Sequence, residues 1–222
     1  MLSIIIPTLN EQDTISSVID HIQSVISKTE YEIIVVDAGS HDATCRIAES
    51  IADQLILSPA GRGLQMNRGA KMSNGDILLF LHADTILPVN FDQHIIHCLK
   101  DGKKWGRFKV KLSGQRFIFR FIEFMMNIRS RLTSVCTGDQ AIFVTRDLFE
   151  TSGGFQNISL MEDIEISKRL RGHGRPAIIN QPVITSSRRW EENGILRTIL
   201  LMWWLRFLYF IGVSPDTLCR KY

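Results

Sequence analysis

The chain lacks the sequence signatures of the commonest nucleotide-using folds. No glycine-rich turn follows the first apolar segment, because residues 7–10 read Pro-Thr-Leu-Asn. A Rossmann dinucleotide-binding domain needs glycines at that turn, so the sequence argues against a nicotinamide-dependent enzyme. No P-loop sequence occurs in the chain, which excludes the common ATPase design.

Cysteine and net charge are both scarce. The four cysteines, Cys45, Cys98, Cys136 and Cys219, are widely spaced and form no C-x-x-C motif. Such thiols are typical of a reduced, cytosolic protein, and we expect them to be unpaired. The formal net charge is only +3, so we expect no nucleic-acid partner. The apolar segment 2–6 is too short for a secretory signal, and we therefore expect a cytoplasmic location.

The composition, 45% apolar and 22% charged residues, is ordinary for one globular domain, which we assign to residues 1–222. Apolar runs and helical periodicity alternate along the first part of the chain. This rhythm predicts βαβ units, and hence an α/β fold with a mainly parallel sheet flanked by helices. We divide the domain into a nucleotide-binding half (1–88), a half that completes the pocket (89–194) and an apolar, aromatic C-terminal helix (195–222).

The individual elements follow from periodicity and from turn residues. The predicted strands cover 2–6, 32–37, 54–57, 77–81, 105–112 and 141–144. The predicted helices cover 15–26, 41–52, 64–72, 91–99, 147–151 and 164–171. Residues 105–112 alternate in polarity, and this pattern is typical of an exposed strand.

Residues 77–84 read Ile-Leu-Leu-Phe-Leu-His-Ala-Asp, an apolar run that stops at a histidine and an aspartate. A short run of this kind is typical of a strand buried on both faces. Positions two apart on a strand point to the same side, so His82 and Asp84 leave the core together, at the sheet edge where α/β folds bind ligands. The pair suits a divalent cation and phosphate chemistry. The structural alternative is that His82 covers the core and Asp84 caps a turn with Thr85.

Three acids in order, Asp37, Asp84 and Asp163, end strands or precede a helix, and each lies in a recognisable sequence context. These contexts are Pro7-Thr8-Leu9-Asn10-Glu11, Val35-Val36-Asp37-Ala38-Gly39-Ser40, Asn67-Arg68-Gly69-Ala70, Gly75-Asp76, Phe80-Leu81-His82-Ala83-Asp84, Gly153-Gly154-Phe155 and Glu162-Asp163. In this order and spacing the chain resembles the family 2 glycosyltransferases with a GT-A fold. The resemblance implies a hexosyltransferase of class EC 2.4 that uses a nucleotide-diphospho-sugar.

The chain resembles a compact, single-domain bacterial subgroup of that family more closely still. Its markers here are Phe80-Leu81-His82-Ala83-Asp84-Thr85, Gly138-Asp139-Gln140-Ala141-Ile142-Phe143-Val144, Leu160-Met161-Glu162-Asp163 and Ser186-Ser187-Arg188-Arg189-Trp190. This likeness implies a catalytic domain in which a histidine at the first position of the metal motif is normal. It does not name a substrate.

On the donor side, the resemblance implies that Asp37 contacts the base of the sugar nucleotide. Uracil and guanine both remain open, so the expected partner is a UDP- or GDP-sugar. The other donor-side residues that the resemblance implies are Pro7, Thr8, Asn10, Glu11, Gly39, His82, Ala83 and Asp84. Arg62 and Arg68 flank the start of a helix, where bidentate arginines suit a diphosphate. For Arg68 a salt bridge to a strand-end aspartate is an equal alternative.

The family's Asp-x-Asp metal motif corresponds to residues 82–84, and the first acid is replaced by histidine. Asp84 is therefore the expected metal ligand and His82 the second one, with Mn²⁺ or Mg²⁺ as the cofactor; imidazole suits Mn²⁺ better. The resemblance further implies an inverting reaction with Asp163 as the general base. The neighbouring Glu162 is the alternative base, because either carboxylate can accept the proton that the attacking hydroxyl loses.

On the acceptor side we place Asp139 and Gln140, for which a purely structural turn is equally open. Arg188, Arg189 and Trp190 correspond to a basic and aromatic motif near the diphosphate and the acceptor. Trp190 suits stacking on a sugar, although a tryptophan in a core or an interface is the more frequent case.

Residues 195–213 are mostly apolar, but Arg197 and Arg206 interrupt them. These charges disfavour a membrane span, and a helix on the membrane surface fits better. Residues 117–132 have the same character. Two readings stay open: a peripheral location on the inner face of the membrane with a lipid-linked acceptor, or packing on the sheet and a homo-oligomer interface.

Two rival functions remain. A sugar nucleotidyltransferase shares the parallel sheet and the metal, but its glycine- and arginine-rich first loop is missing here. A catalytically silent sugar-nucleotide-binding protein is suggested by the histidine at position 82. Retention of Asp84 and Asp163 favours an enzyme.

Overall fold

The computed structural model describes residues 1–221, and the structural statements that follow concern these residues. The strands are β1 (Leu2–Thr8), β2 (Tyr31–Asp37), β3 (Gln54–Leu57), β4 (Ile77–Phe80), β5 (Thr85–Ile86), β6 (Trp105–Leu112), β7 (Ile142–Thr145) and β8 (Ala177–Thr185). The α-helices are α1 (Ile15–Val25), α2 (Thr44–Ile51), α3 (Arg62–Met72), α4 (Phe91–Lys100), α5 (Phe117–Thr133), α6 (Arg146–Thr151), α7 (Glu162–Leu170), α8 (Arg188–Glu192), α9 (Ile195–Phe210) and α10 (Pro215–Cys219). Short 3-10 turns lie at Gly138–Gln140 and Arg171–His173.

The strands form one sheet in the order β3-β2-β1-β4-β7-β6-β8-β5. The pairs β1–β2, β1–β4, β2–β3 and β6–β8 are parallel, whereas β4–β7, β6–β7 and β5–β8 are antiparallel. The predicted α/β fold with a mainly parallel sheet flanked by helices is confirmed. Because β7 joins β4, the sheet runs through both predicted halves of the chain.

The central strands are apolar at consecutive positions because both faces of the sheet are covered. Along β1, Ile4 and Ile6 pack into the core layer that contains the buried face of α1. Ile5, which points to the opposite face, packs with Met66 of α3 and Phe80 of β4. The period of two therefore splits one apolar run between two core layers.

Helix α3 is held close to the ends of β1 and β2. A Cβ at Gly69 would lie 2.5 Å from Cγ2 of Ile5, so only glycine allows this approach. The amide of Gln65 donates to the carbonyls of Thr8 (2.9 Å) and Val36 (2.8 Å). These bonds join the start of α3 to the ends of both strands, and they fix the helix beside the sheet edge.

Residues 105–112 form a strand as predicted, but the prediction that this strand is exposed was wrong. Strand β6 lies between β7 and β8, and its residues are mostly buried. The polar position that misled the pattern, Arg107, is fully buried and donates to the carbonyls of Phe108 (2.9 Å) and Asn127 (3.4 Å). A buried arginine that donates to main-chain carbonyls cannot be told from an exposed one in the sequence.

Strand β8 was not predicted, because Asn180, Gln181 and Pro182 interrupt its apolar pattern. The register with β6 shifts at this point, since Phe108 pairs with Ile179 and Lys109 pairs with Pro182. The two extra residues form an irregularity of the β-bulge type, which accommodates a proline inside a strand.

The C-terminal part, which was predicted as one helix over 195–222, is two helices within the described residues. Helix α9 ends at Phe210, and α10 begins at Pro215. Gly212 has a φ of +92°, a left-handed conformation that ends a helix, and Pro215 starts the next one. None of the helices within residues 1–221 is long and apolar enough to cross a membrane.

Candidate active site

The carboxyl ends of β1 and β2 meet at one edge of the sheet, where Asp37 is fully buried. One oxygen of its carboxylate accepts from the N–H groups of Gly39 (2.9 Å) and Ser40 (2.7 Å). The other accepts from the hydroxyls of Thr8 (3.0 Å) and Ser40 (2.5 Å). Burial alone would raise the pKa of Asp37, but the hydrogen bonds, those from Ser40 above all, outweigh burial and lower it. The carboxylate is thus ionised and held by the protein itself, and its contact with a base stays a prediction.

The loop after β1 is tied to the loop after β2. The N–H of Asn10 donates to the hydroxyl of Ser40 (2.8 Å), and the amide oxygen of Asn10 accepts from the N–H of His41 (3.0 Å). Asn10 has a φ of +56°, which asparagine tolerates better than most residues. The N–H of Glu11 donates to the hydroxyl of Thr44 (2.8 Å). Pro7 and Thr8 end β1 directly before this loop, so they lie at the same edge of the sheet as Asn10, Glu11 and Gly39.

His82, Ala83 and Asp84 form the connection between β4 and β5. Nδ1 of His82 lies 3.6 Å from a carboxylate oxygen of Asp139. Its Nε2 is buried without a hydrogen-bond partner, and a Cβ at Gly138 would lie 2.2 Å from it. Burial and the nearby charge of Arg62 lower the pKa of His82 to about 3, so the ring is neutral. Both ring nitrogens face protein groups, and metal ligation by His82 stays a prediction.

Asp84 lies in a field of like charges. Burial raises its pKa, and the carboxylates of Asp139 and Glu11 raise it further, while Arg188 acts in the opposite direction. Among residues 1–221, no three His, Cys, Asp or Glu side chains are grouped as a complete metal site. A divalent cation bound by one or two carboxylates and by substrate phosphates needs no such group. The Asp84 carboxylate supplies oxygen atoms of the kind that Mg²⁺ and Mn²⁺ bind, and a cation beside it would offset the negative charges of Asp139 and Glu11.

Glu162 and Asp163 begin α7. The residue before them, Met161, has a φ of +72°, which is an unusual conformation for a non-glycine residue and one that recurs at functional sites. The carboxylate of Asp163 accepts from the N–H of Gly138 (2.8 Å) and of Ile164 (2.7 Å). Both acids line a cavity of about 90 Å³ with Arg62, His82, Asp139 and Arg206, which we call the acid cavity.

The two acids differ in environment. Glu162 is buried, and Nη1 of Arg62 lies 3.6 Å from its Oε1. Burial and then the negative charge of Asp163 raise the pKa of Glu162 to about 7, against the opposing effect of Arg62. Arg62 is half exposed at the start of α3, where a helix N-terminus also favours an anion. One arginine thus connects the predicted diphosphate position with the buried acid.

The predicted acceptor-side residues do not all share one place. Asp139 lines the acid cavity. Burial lowers the pKa of Arg189, and the charge of Arg62 lowers it further, while the charge of Asp139 raises it. Trp190 lines a neighbouring groove, whereas Arg188 is exposed. Gln140 points elsewhere, because it is fully buried and its amide donates to the hydroxyl of Ser130 (3.0 Å). The contacts of Gln140 therefore agree with the alternative of a purely structural turn.

Arg68 is not gathered with the other residues. It is exposed on α3, and its side chain forms no hydrogen bond or ion pair with another residue of the described chain. In the motif Asn67-Arg68-Gly69-Ala70, the side chain of Asn67 has the structural role. Its amide donates to the carbonyl of Phe155 (2.8 Å) and accepts from the N–H of the same residue (2.8 Å). These two hydrogen bonds hold the loop after α6 on α3, near the start of α7.

Three residues that the sequence did not indicate as site residues lie beside the acids. Gly138 contacts both His82 and Asp163, as described above. Arg129 of α5 and Arg206 of α9 are the other two, and both lie near enough to Asp163 and Asp139 for these carboxylates to raise their pKa against the effect of burial. In the sequence, each of them could have been noticed as an arginine inside an otherwise apolar helix.

The α/β sheet with acids at its carboxyl edge, a loop acid after β4 and a carboxylate pair at the start of a later helix define a protein of the GT-A glycosyltransferase fold. The sequence model of glycosyl transferase family 2 matches residues 3–149. The chain belongs to this family.

Sequence relatives agree with this membership, and a solved structure shares the fold. The chain is 35% identical over 97 residues to glucosyl-3-phosphoglycerate synthase of Mycolicibacterium paratuberculosis, covering 39% of this chain and 29% of that protein. It is 30% identical over 107 residues to dolichol-phosphate mannosyltransferase of Pyrococcus furiosus, covering 46% and 30%. The matched regions thus span less than a third of either relative. The crystal structure of glucosyl-3-phosphoglycerate synthase from Mycobacterium tuberculosis with Mn²⁺, UDP and glucosyl-3-phosphoglycerate has a TM-score of 0.66 at 22% identity, covering 96% of this chain and 81% of that one.

Proposed function

We propose that the protein transfers a hexose from a nucleotide-diphospho-sugar to an acceptor hydroxyl, with inversion at the anomeric carbon. The observation that carries the proposal is the acid cavity, where Asp163 and Glu162 face Arg62 and Asp139 in a family 2 fold. Relatives named as glucosyl and mannosyl transferases support a hexose as the transferred group.

The donor would bind across the edge formed by the ends of β1, β2 and β4. The joined loops that carry Asn10, Glu11 and Gly39 border the base and ribose, and Arg62 supplies a positive charge for the diphosphate. A neighbour crystallised with UDP favours a UDP-sugar, with a GDP-sugar as the competing donor in the test.

Asp84 would hold Mn²⁺ or Mg²⁺, which when bound neutralises the negative charge on the leaving diphosphate. The repulsion among the carboxylates of Asp84, Asp139 and Glu11 supports a cation at this position. His82 packs against Gly138 and Asp139, and in this position it holds the loop that carries Asp139.

Asp163 would act as the general base. As the acceptor oxygen forms its bond to the anomeric carbon, the bond from that carbon to the diphosphate oxygen breaks, and the hydroxyl proton passes to the Asp163 carboxylate. The nucleoside diphosphate leaves with the electron pair. Two backbone N–H groups hold the carboxylate in place, and Glu162, with its raised pKa, is the alternative base.

The first test is thermal stabilisation by UDP, GDP, CDP and TDP, each with and without Mn²⁺ or Mg²⁺. A ligand that binds only the folded state raises Tm, so one diphosphate should give a metal-dependent shift. No shift with any of them would contradict the donor assignment.

The second test separates an enzyme from a silent sugar-nucleotide-binding protein. Release of nucleoside diphosphate from the sugar nucleotide that binds should fall by about 10²–10⁴-fold in Asp163→Asn, the range typical of a lost general base, while the Tm shift by the diphosphate is retained. Glu162→Gln is the matched variant at the neighbouring acid. An unchanged rate in Asp163→Asn together with a lost rate in Glu162→Gln would move the base to Glu162.

A further inference from the structure

Helices α5 and α9 border an apolar groove of about 220 Å³, which we call the α5–α9 groove. Phe121, Ile122 and Met125 of α5 and Ile199 and Trp203 of α9 line it. Phe121 and Trp203 are more than half exposed, so the groove opens to solvent between aromatic side chains. Exposed aromatic side chains of this kind are typical of surfaces that contact lipid.

Two arginines extend into this apolar groove, Arg129 from α5 and Arg206 from α9. Nε and Nη2 of Arg129 are buried and have no hydrogen-bond partner among the described residues. Within residues 1–221, no Asp or Glu oxygen lies within 4.0 Å of a nitrogen of either arginine. Arg129 therefore has two unpartnered nitrogens in an apolar setting beside the like charge of Arg206, which is costly, and an anion held by both arginines would offset this cost.

The groove is continuous with the acid cavity. Asp139, Met202 and Arg206 line both, so the two spaces meet at these side chains. Burial lowers the pKa of both Arg129 and Arg206, and the negative charges of Asp163 and Asp139 raise it in opposition. A molecule lying in the groove with its polar end at the arginines therefore reaches the cavity of the general base.

We propose that the α5–α9 groove binds the acceptor, and that the acceptor is a single-chain lipid that carries a phosphate. The chain lies against the apolar side chains, the phosphate lies on Arg129 and Arg206, and the hydroxyl that receives the sugar faces Asp163. A dianionic phosphate matches two guanidinium groups in charge, and it presents several oxygens to their donors. The role as acceptor site rests on the proposed function, whereas the binding of the lipid phosphate does not.

The test uses decyl phosphate below its micellar concentration, with 1-decanol and inorganic phosphate as probes that each lack one half of the ligand. Isothermal titration calorimetry on the full chain should give a Kd for decyl phosphate at least tenfold lower than for either of the other two. Equal binding of decanol and decyl phosphate would overturn the proposal, and so would equal binding of inorganic phosphate and decyl phosphate.

Matched variants distinguish a specific binding site from non-specific electrostatic or hydrophobic binding. Arg129→Gln and Arg206→Gln should each weaken decyl phosphate at least fivefold, whereas Arg131→Gln, an exposed arginine on the same helix, should not. Trp203→Ala should weaken it, and Trp204→Ala, which does not line the groove, should not. A retained Tm shift by the nucleoside diphosphate shows that each variant is folded. Equal effects in the variant and in its control would overturn the proposal.

Two further outcomes are decisive. If the diphosphates shift Tm but decyl phosphate does not bind, the lipid-phosphate site is wrong and the proposed function stands. If decyl phosphate binds through both arginines and no diphosphate shifts Tm, the site is supported and the proposed donor is wrong. Light scattering that shows a dimer, converted to a monomer by Trp203→Ala, together with no binding of decyl phosphate, would assign the groove to a second copy of the chain.

Discussion

The backbone N–H of Gly138 donates a hydrogen bond of 2.8 Å to the carboxylate of Asp163. The same glycine lies against the ring of His82, where an added Cβ would lie 2.2 Å from Nε2. One small residue thus connects the loop after β4, the turn after α5 and the acid at the start of α7. The close approach to His82 depends on the absence of a side chain at position 138.

Gly138→Ala is therefore expected to displace His82 and to disturb Asp163. Overpacking of a buried site of this kind typically costs about 1–3 kcal/mol of unfolding free energy. We expect a lower Tm and a slower sugar transfer, measured by thermal unfolding and by diphosphate release. Gly172→Ala is the control, because no atom lies within 4 Å of a Cβ there. Equal stability of the two variants would show that the His82 ring moves freely.

Glu162→Gln should change how stability depends on pH. Burial and Asp163 raise the pKa of Glu162 from 4.5 to about 7. A group whose pKa is higher in the folded state binds more protons there, so it destabilises the fold as the pH rises from 4.5 through about 7. The variant lacks this loss, and its Tm relative to the wild type should increase between pH 5 and pH 8. The exposed Glu49→Gln is the control for a surface carboxylate, and a similar trend there would contradict the assignment.

Asp84→Asn removes one of several mutually repelling carboxylates while keeping the size of the side chain. Without metal we expect the same or a higher Tm than the wild type, because burial and the charges of Asp139 and Glu11 disfavour the ionised form. The increase in Tm that Mn²⁺ produces together with a nucleoside diphosphate should be lost. Asp20→Asn, at an exposed position of α1, should keep that increase. A retained increase in Asp84→Asn would remove Asp84 from the metal site.

Asp37→Asn should destabilise the fold most at neutral pH. The hydrogen bonds that Asp37 accepts outweigh burial and lower its pKa below 3.8, so its contribution is present above pH 3.8 and is lost as the pH falls through the folded pKa. Loss of charge-assisted hydrogen bonds to Ser40, Gly39 and Thr8 is expected to cost about 2 kcal/mol at pH 7. Urea unfolding at pH 7 and at pH 3 should show the difference shrinking. A constant difference would mean that packing, not charge, explains it.

The local pattern of the chain determined much of the fold. The apolar runs in β1, β2 and β4 and the helical spacing in α1 specify buried strands and amphipathic helices, because each residue's preference is set by its immediate neighbours. The order of motifs around Asp37, Asp84 and Asp163 was also sufficient to identify the family. The pattern failed at Arg107 in β6, which is buried and donates to the distant carbonyl of Asn127, and at Pro182 in β8, where a register shift against β6 accommodates the proline.

Only the tertiary structure decided which side chains share a cavity. Arg129 and Arg206 are 77 positions apart and look like interruptions of apolar helices, yet α5 and α9 bring them to one groove. In the same way, Gln140 turned inward to Ser130 and Arg68 turned outward to solvent, although both lie in motifs of the family. The physical reason is that burial and charge pairing depend on contacts between distant segments, and these are set by how helices pack on the sheet rather than by spacing along the chain.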